Sequence, residues 1–242
     1  MALFPSFSFR MSRCRQPELM DQPGLDLSEH RQALQGLKRI NNVSRTGSIL
    51  WPAIARLARR KEVNGRPVRV LDLATGGGDN PIELDRRARR AGLNLEIQGC
   101  DINPQAIDYA QKQARAHNAN VRFFVLDAVH DILPSDYDVL TCSLFLHHLD
   151  ETDAIALLRH MGDAARRLVL VNDLVRSRYG YLMAVVGCHL LSGSRVVHVD
   201  GPISVAGAFT PGEALSLAER AGLQGATLTR HWPQRYLLTW NR

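Results

Sequence analysis

Three aspartates in this chain close apolar runs that read as buried strands: Asp72 in Val68-Arg-Val-Leu-Asp-Leu-Ala74, Asp101 in Ile97-Gln-Gly-Cys-Asp-Ile102, and Asp127 in Phe124-Val-Leu-Asp-Ala128. Ala74, Gly76 and Gly78 follow the first aspartate at every second position. Small residues there let the backbone approach a ligand at the carboxyl edge of a sheet, beside the start of a helix. A dinucleotide fingerprint would read G-x-G-x-x-G, because a pyrophosphate sits against the helix dipole. Here the spacing differs, and a carboxylate precedes the loop. Asp72 would repel a pyrophosphate but suits a cation such as the amino group of an amino acid. Asp101, about twenty residues beyond the glycines, is placed to accept from both hydroxyls of a ribose. Asp127 can accept from an adenine amino group while the backbone N–H of Ala128 meets a ring nitrogen. In series, the three carboxylates fit an amino acid, a ribose and a base laid across one sheet edge.

The elements that must position them follow from periodicity. Leu34, Leu37 and Ile40 recur at helical spacing within residues 25–43, and residues 49–57 repeat the pattern. After these helices, apolar runs over 68–74, 95–101, 121–127, 137–143 and 168–173 alternate with helical segments. Such alternation predicts a parallel sheet covered on both faces. Asn80, Pro81 and Glu83 make a helix start with a capping box, and Gly92 a left-handed stop. Thr210 and Glu213 repeat the box, and the tail over 226–240 reads as an antiparallel hairpin around Pro233-Gln234. The expected organisation is a flexible stretch over 1–24, covering helices over 25–66, and a ligand-binding domain over 67–242. An irregular lid over about 176–208 is expected within that domain.

The segments ending at Asp79, Ile102, Ala128 and Ser143, the last reading Tyr137-Asp-Val-Leu-Thr-Cys-Ser143, resemble the successive motifs of class I S-adenosylmethionine (SAM)-dependent methyltransferases. The first is nearest the branch that methylates ubiquinone and menaquinone precursors. The resemblance runs from about Arg69 to Asp173. It implies an α/β three-layer sandwich with a seven-stranded, mostly parallel sheet whose last strand is antiparallel. It further implies SAM as cofactor and S-adenosylhomocysteine as product. Asp72, Ala74, Thr75, Gly76 and Gly78 would hold the methionine part. Asp101 and Ile102 would take the ribose, Asp127 and Ala128 the adenine, and Ser143 a further cofactor contact. Ala74 replaces the usual first glycine. The stretch Leu144-Phe-Leu-His-His148 departs from the quinone-precursor branch, so that branch's acceptor does not carry over.

On the acceptor side, methyl transfer asks the protein for orientation and, where needed, a base. His147 and His148 follow strand four, on the edge where the methyl should point. A His-His-Leu run there also accompanies unrelated substrates, so a structural role stands beside a catalytic one; of the two, His148 is the expected actor. Asp173, at the end of strand five, is the second expected catalytic residue, with helix capping as its alternative. Tyr179 and His198 are expected to line the acceptor site. Leu182, Val185, Val186, Leu190 and Leu191 suit a hydrophobic acceptor or simple packing.

The formal charge of +6 rests on arginine, the only lysines being Lys38, Lys61 and Lys112. It clusters on helix faces rather than forming a nucleic-acid footprint. Base-methylating enzymes carry an Asn/Asp-Pro-Pro-aromatic run or a nucleophilic Cys beside Pro; Thr141 to His147 has neither. The four cysteines form no C-x-x-C pair and no metal-ligand spacing, so no metal is expected, and a reduced cytoplasmic compartment is. No secretory signal or membrane span is expected. The resulting expectation is O-methylation of a small aromatic or polyketide-like acceptor in secondary metabolism, by a monomer or homodimer. C-methylation of a quinone-precursor type and a non-catalytic SAM-binding regulator or scaffold are the alternatives.

Overall fold

Apolar runs without alternation bury both faces of a sheet, and in the computed structural model, which describes residues 11–21, 24–43, 46–60 and 66–242, the runs over 68–74, 137–143 and 168–173 do, while that over 121–127 is partly exposed. The strands are β1 (Val68–Leu73), β2 (Leu95–Asp101), β3 (Val121–Val125), β4 (Val139–Ser143), β5 (Leu168–Leu174), β6 (Thr227–His231) and β7 (Arg235–Asn241). They pair in the order β3-β2-β1-β4-β5-β7-β6. β1 to β5 are parallel, while β7 runs antiparallel to both β5 and β6. Chain order reverses between β1 and β4. In sheets of this kind a ligand crevice opens there, outside the carboxyl ends of the strands.

Helices α1 (Leu27–Val43) and α2 (Thr46–Ala58) precede β1, and α3 (Asp79–Ala91), α4 (Pro104–Ala116) and α5 (Glu151–Ala164) connect the parallel strands. One core joins Leu71, Leu73 and Leu140 to Leu157, Leu158 and Met161 of α5; a second joins Val70, Ile97 and Leu170 to Leu50 and Ile54 of α2. Truncating any of these to Ala costs about 2–5 kcal/mol.

Several local expectations change. The capping box at Asn80 does not form. The N-cap is Gly78, at φ 78° and without a side-chain cap, so α3 starts at Asp79 and Glu83 instead pairs with Arg86 and Arg87. The cause is the loop, which closes with Gly78 N–H donating to the Thr75 carbonyl at 3.0 Å. A side chain at Gly78 would also strike Phe123 and Ala110, its Cβ falling 2.7 and 2.9 Å from their atoms. The box at Thr210 does form and starts α8 (Pro211–Arg220).

The segment expected to be an irregular lid is two regular helices, α6 (Arg178–Leu191) and α7 (Arg195–Gly207), with Pro202 inside α7. They pack closely: a Cβ on Gly201 would meet the Cys188 sulfur at 2.3 Å. Of the stretch expected to fray, Met11 to Asp21 is strapped across the fold. Arg13 stacks over Phe209 and donates to the carbonyls of Gly207, Leu149 and His147. Arg176 holds the Met11 carbonyl, and Asp200 accepts from the N–H groups of Leu19 and Met20, which begin a 3-10 turn. All four cysteines are free thiols. Among the described residues no helix is long and apolar enough to cross a membrane.

Candidate active site

A cavity of about 1250 Å³ opens at the strand switch point, between the glycine loop and a cap made by α1, α6, α7 and the strap. Thr75, Gly76, Asp101, Ile102, Asp127 and Ala128 line its sheet side, together with Ala74 and Ser143. Leu34, Ile40, Met183, Ala184, Leu191 and Val205 supply apolar lining from the cap. The cap is thus mostly apolar, with Glu18 and Ser204 as its polar exceptions.

Each strand-end aspartate shapes the loop around it. Asp72 is buried behind the glycine loop rather than on the cavity wall, and its carboxylate accepts from Thr141 Oγ1 at 2.5 Å and Thr75 Oγ1 at 2.9 Å. Burial pushes its pKa up to about 6, against those hydrogen bonds. Asp101 accepts from the Gly76 N–H at 2.8 Å and the Asn103 N–H at 2.9 Å, clamping the first loop to the second. Ala74, Gly76 and Gly78 all take positive φ, at 50°, 53° and 78°. That run turns the loop tightly beside the start of α3, and it is costly at Ala74, the one residue of the three with a Cβ. Asp127 accepts from the Val129 and His130 N–H groups and pairs with the His130 ring. Partial burial opposes its charge, but these partners outweigh it and hold the carboxyl below its usual range.

These residues fit SAM. Each carboxylate oxygen has a second lone pair, so Asp101 and Asp127 can accept from hydroxyl or amino groups while keeping their loops in place. Ser143 Oγ is buried on the cavity wall with no hydrogen-bond partner among the described residues, a polar atom that a polar ligand would satisfy. Asp72 reaches this wall only through its hydrogen bond with Thr75, which lines the cavity.

The other half of the site is built on His147. Leu144 turns the chain out of β4 at φ 56°, and a short 3-10 turn over Leu146–His148 follows. His147 Nδ1 lies 2.6 Å from Asp173 Oδ1, and its backbone N–H donates to Asp173 Oδ2 at 3.0 Å. Its Nε2 faces Glu18 Oε1 at 3.7 Å, and His148 Nε2 faces the same oxygen at 3.9 Å. The two imidazoles overlap with centroids 4.3 Å apart. Burial disfavours charge on His147, but Asp173 and Glu18 outweigh it and push its pKa up to about 10. Asp173 and Glu18 are both held below their usual range, His147 overcoming the burial of each.

The structure thus brings His147 and His148 to the cavity together with Glu18. It places Asp173 behind them, buried, as the residue that positions His147. Tyr179 and His198 do not reach the cavity. Tyr179 is 63% exposed, and His198 stacks on His189 at 4.1 Å while its Nε2 meets the Ser192 carbonyl. Helical phase is the reason: Gly180, Met183, Ala184 and Gly187 form the cavity face of α6, which turns Tyr179, Leu182, Val186 and Leu190 to solvent. Glu18 escaped sequence reasoning, since it stands in a segment without periodicity and meets its partners across more than a hundred residues.

Residues 70–167 match the family model described as a methyltransferase domain. The demethylmenaquinone methyltransferase of Deinococcus radiodurans is 32% identical over 178 residues, 69% of this chain and 71% of that protein. A ubiquinone biosynthesis O-methyltransferase of Paraburkholderia phytofirmans is 27% identical over 167 residues, 66% of each. Among solved structures, the magnesium protoporphyrin IX methyltransferase of Synechocystis PCC 6803 with bound SAH superposes at TM-score 0.57. It is 17% identical, with 92% of this chain and 91% of that one covered.

Proposed function

Because this chain belongs to the class I SAM-dependent methyltransferases, we propose that it O-methylates a small, hydrophobic aromatic or polyketide-like acceptor. The observation that carries this reading is the Glu18–His147–His148 cluster on the wall of a cavity whose other lining is largely apolar. An acceptor's ring would rest on Met183, Leu191 and Val205, with its hydroxyl toward the cluster. The Paraburkholderia relative, a ubiquinone biosynthesis O-methyltransferase, agrees with this reading.

When bound, SAM supplies a methyl group on a sulfonium, which needs orientation more than activation. The residues of this chain do the rest. Asp101 holds the Gly76 loop in the shape that receives the cofactor. Asp173 fixes the His147 ring. His148 stands on the cavity wall, where it can accept the proton that an acceptor hydroxyl releases. The strap and α1, α6 and α7 cover the cavity and keep water from competing as acceptor.

The test is calorimetric titration with SAM on the wild type and Asp101→Ala, followed by labelled methyl transfer to a panel of phenols. Micromolar SAM binding, weakened at least tenfold in the variant, with label on phenolic oxygen, supports the proposal. Label on ring carbon overturns O-methylation in favour of the C-methyltransferase alternative. SAM binding without transfer to any acceptor of the panel favours the regulatory or scaffold alternative.

A further inference from the structure

The Glu18–His147–His148 cluster has the composition of a metal site. Glu18 Oε1, His147 Nε2 and His148 Nε2 come from two segments of chain and converge on one point of the cavity wall. One ligand atom from each residue lies within 4.8 Å of the other two, and Glu18 Oε1 stands 3.7 Å from His147 Nε2 and 3.9 Å from His148 Nε2. A tetrahedral shell with bonds of about 2.0–2.1 Å separates its ligands by about 3.4 Å. The two measured pairs therefore need to close by only a few tenths of an ångström.

The surroundings are those of a ligand set rather than of a chance cluster. Metal-bound histidines characteristically give their second ring nitrogen to a carboxylate, which fixes tautomer and ring orientation. His147 does this, its Nδ1 being paired with the buried Asp173 carboxylate, which leaves Nε2 toward the cavity. Glu18 is oriented in turn by a hydrogen bond from Ser204 Oγ. Two carboxylates, the buried Asp173 and Glu18 with its side chain 11% exposed, converge on one imidazole, so the locus is built to hold positive charge. A divalent cation would hold more of it than a proton does.

We propose that Glu18, His147 and His148 bind one first-row divalent cation of the zinc class, leaving at least one coordination position open to the cavity. Two imidazoles and a carboxylate suit such an ion, and the open position suits an acceptor oxygen. In that position the acceptor's O–H bond is polarised by the cation and its proton passes to solvent, so His148 serves as a ligand rather than as the base. The use made of the ion rests on the O-methylation reading. The site itself does not, and neither does its test.

The experiment titrates Co²⁺ as a spectroscopic probe into the chelator-stripped 242-residue chain and follows the visible absorption of a low-coordinate ion. Circular dichroism and SAM calorimetry run in parallel. One equivalent bound, with affinity reduced at least a hundredfold in both His148→Ala and Glu18→Gln, supports the site. Asp173→Asn, which leaves all three ligands in place, should weaken binding by about 10–100-fold if it positions His147. Zn²⁺ should displace the Co²⁺ band. Folded, SAM-binding protein that takes up Co²⁺ no better than the His148→Ala variant overturns the proposal and leaves a proton as the only cation there. SAM calorimetry separates this failure from failure of the methyltransferase reading, because the glycine loop and Asp101 lie outside the cluster.

Discussion

Asp173 grips His147 twice, through the ring at 2.6 Å and through the backbone N–H at 3.0 Å, and so ties the end of β5 to the turn that follows β4. One carboxylate thereby sets both the position and the tilt of an imidazole on the cavity wall. Asp173→Asn removes the charge while keeping the shape. Breaking a buried pair of this kind costs about 3–5 kcal/mol, to be read by urea unfolding. At a temperature where circular dichroism shows the variant folded, methyl transfer should still fall at least tenfold while SAM affinity stays within twofold. Equal loss of both would make Asp173 a purely structural residue.

Asp72 gives a pH signature. Burial raises its pKa to about 6 in the native protein, against about 3.9 for an unfolded aspartate. Between those values the native state holds a proton that the unfolded chain has released, so this group's contribution to stability falls as pH rises from about 4 to 6. Above 6 it is flat. Asp72→Asn removes the slope. The difference in unfolding free energy between wild type and variant should shift toward the variant across that window and then level off. A difference that is constant with pH would mean Asp72 titrates as an exposed carboxyl.

Arg13 is the rivet of the N-terminal strap. Its guanidinium holds the carbonyls of Gly207 and Leu149 at 2.7 and 2.6 Å and lies 3.7 Å above the Phe209 ring. Arg13→Ala should cost on the order of 2–4 kcal/mol. It should also loosen Glu18, so acceptor turnover falls more than SAM affinity does. Limited proteolysis near Arg15 gives an independent reading, with faster cleavage expected in the variant.

The two faces of α6 should answer differently to substitution. Met183 lines the cavity, whereas Leu182 is 60% exposed beside it in sequence. Met183→Ala should raise KM for a hydrophobic acceptor about 10-fold or more. Leu182→Ala should change neither KM nor stability beyond about 0.5 kcal/mol. Equal effects would mean that the acceptor does not contact α6 through its cavity face.

The sheet was legible because burial leaves a direct trace in composition: β1 to β4 lie within the apolar runs that predict them, and β5 extends one residue past its own, to Leu174. The capping residues were half legible. Thr210 and Glu213 close their box at the start of α8, whereas at α3 the closure of the glycine loop outcompetes Asn80. The lid was not legible as helix. Val196 and Val197 are β-branched, Pro202 interrupts, and Ser192-Gly-Ser194 reads as a break, so packing of α7 on α6 overrides local preference. Asp173 was legible as a residue of interest, since it ends a strand on the cleft edge. Glu18 was not, because nothing local distinguishes it and only tertiary contact brings it to two histidines.

The strap imposes an order on assembly. Arg13 finds Gly207 across 194 residues and Glu18 finds Ser204 across 186, so the contacts of the strap wait until that distant segment has been made and folded. Closing loops of that length comes late, after the sheet and α7 exist to receive the chain. The wall of the cavity that carries Glu18 is therefore finished last. A nascent or half-folded molecule would hold the glycine loop without the acceptor side, and could engage cofactor before it has the means to spend it.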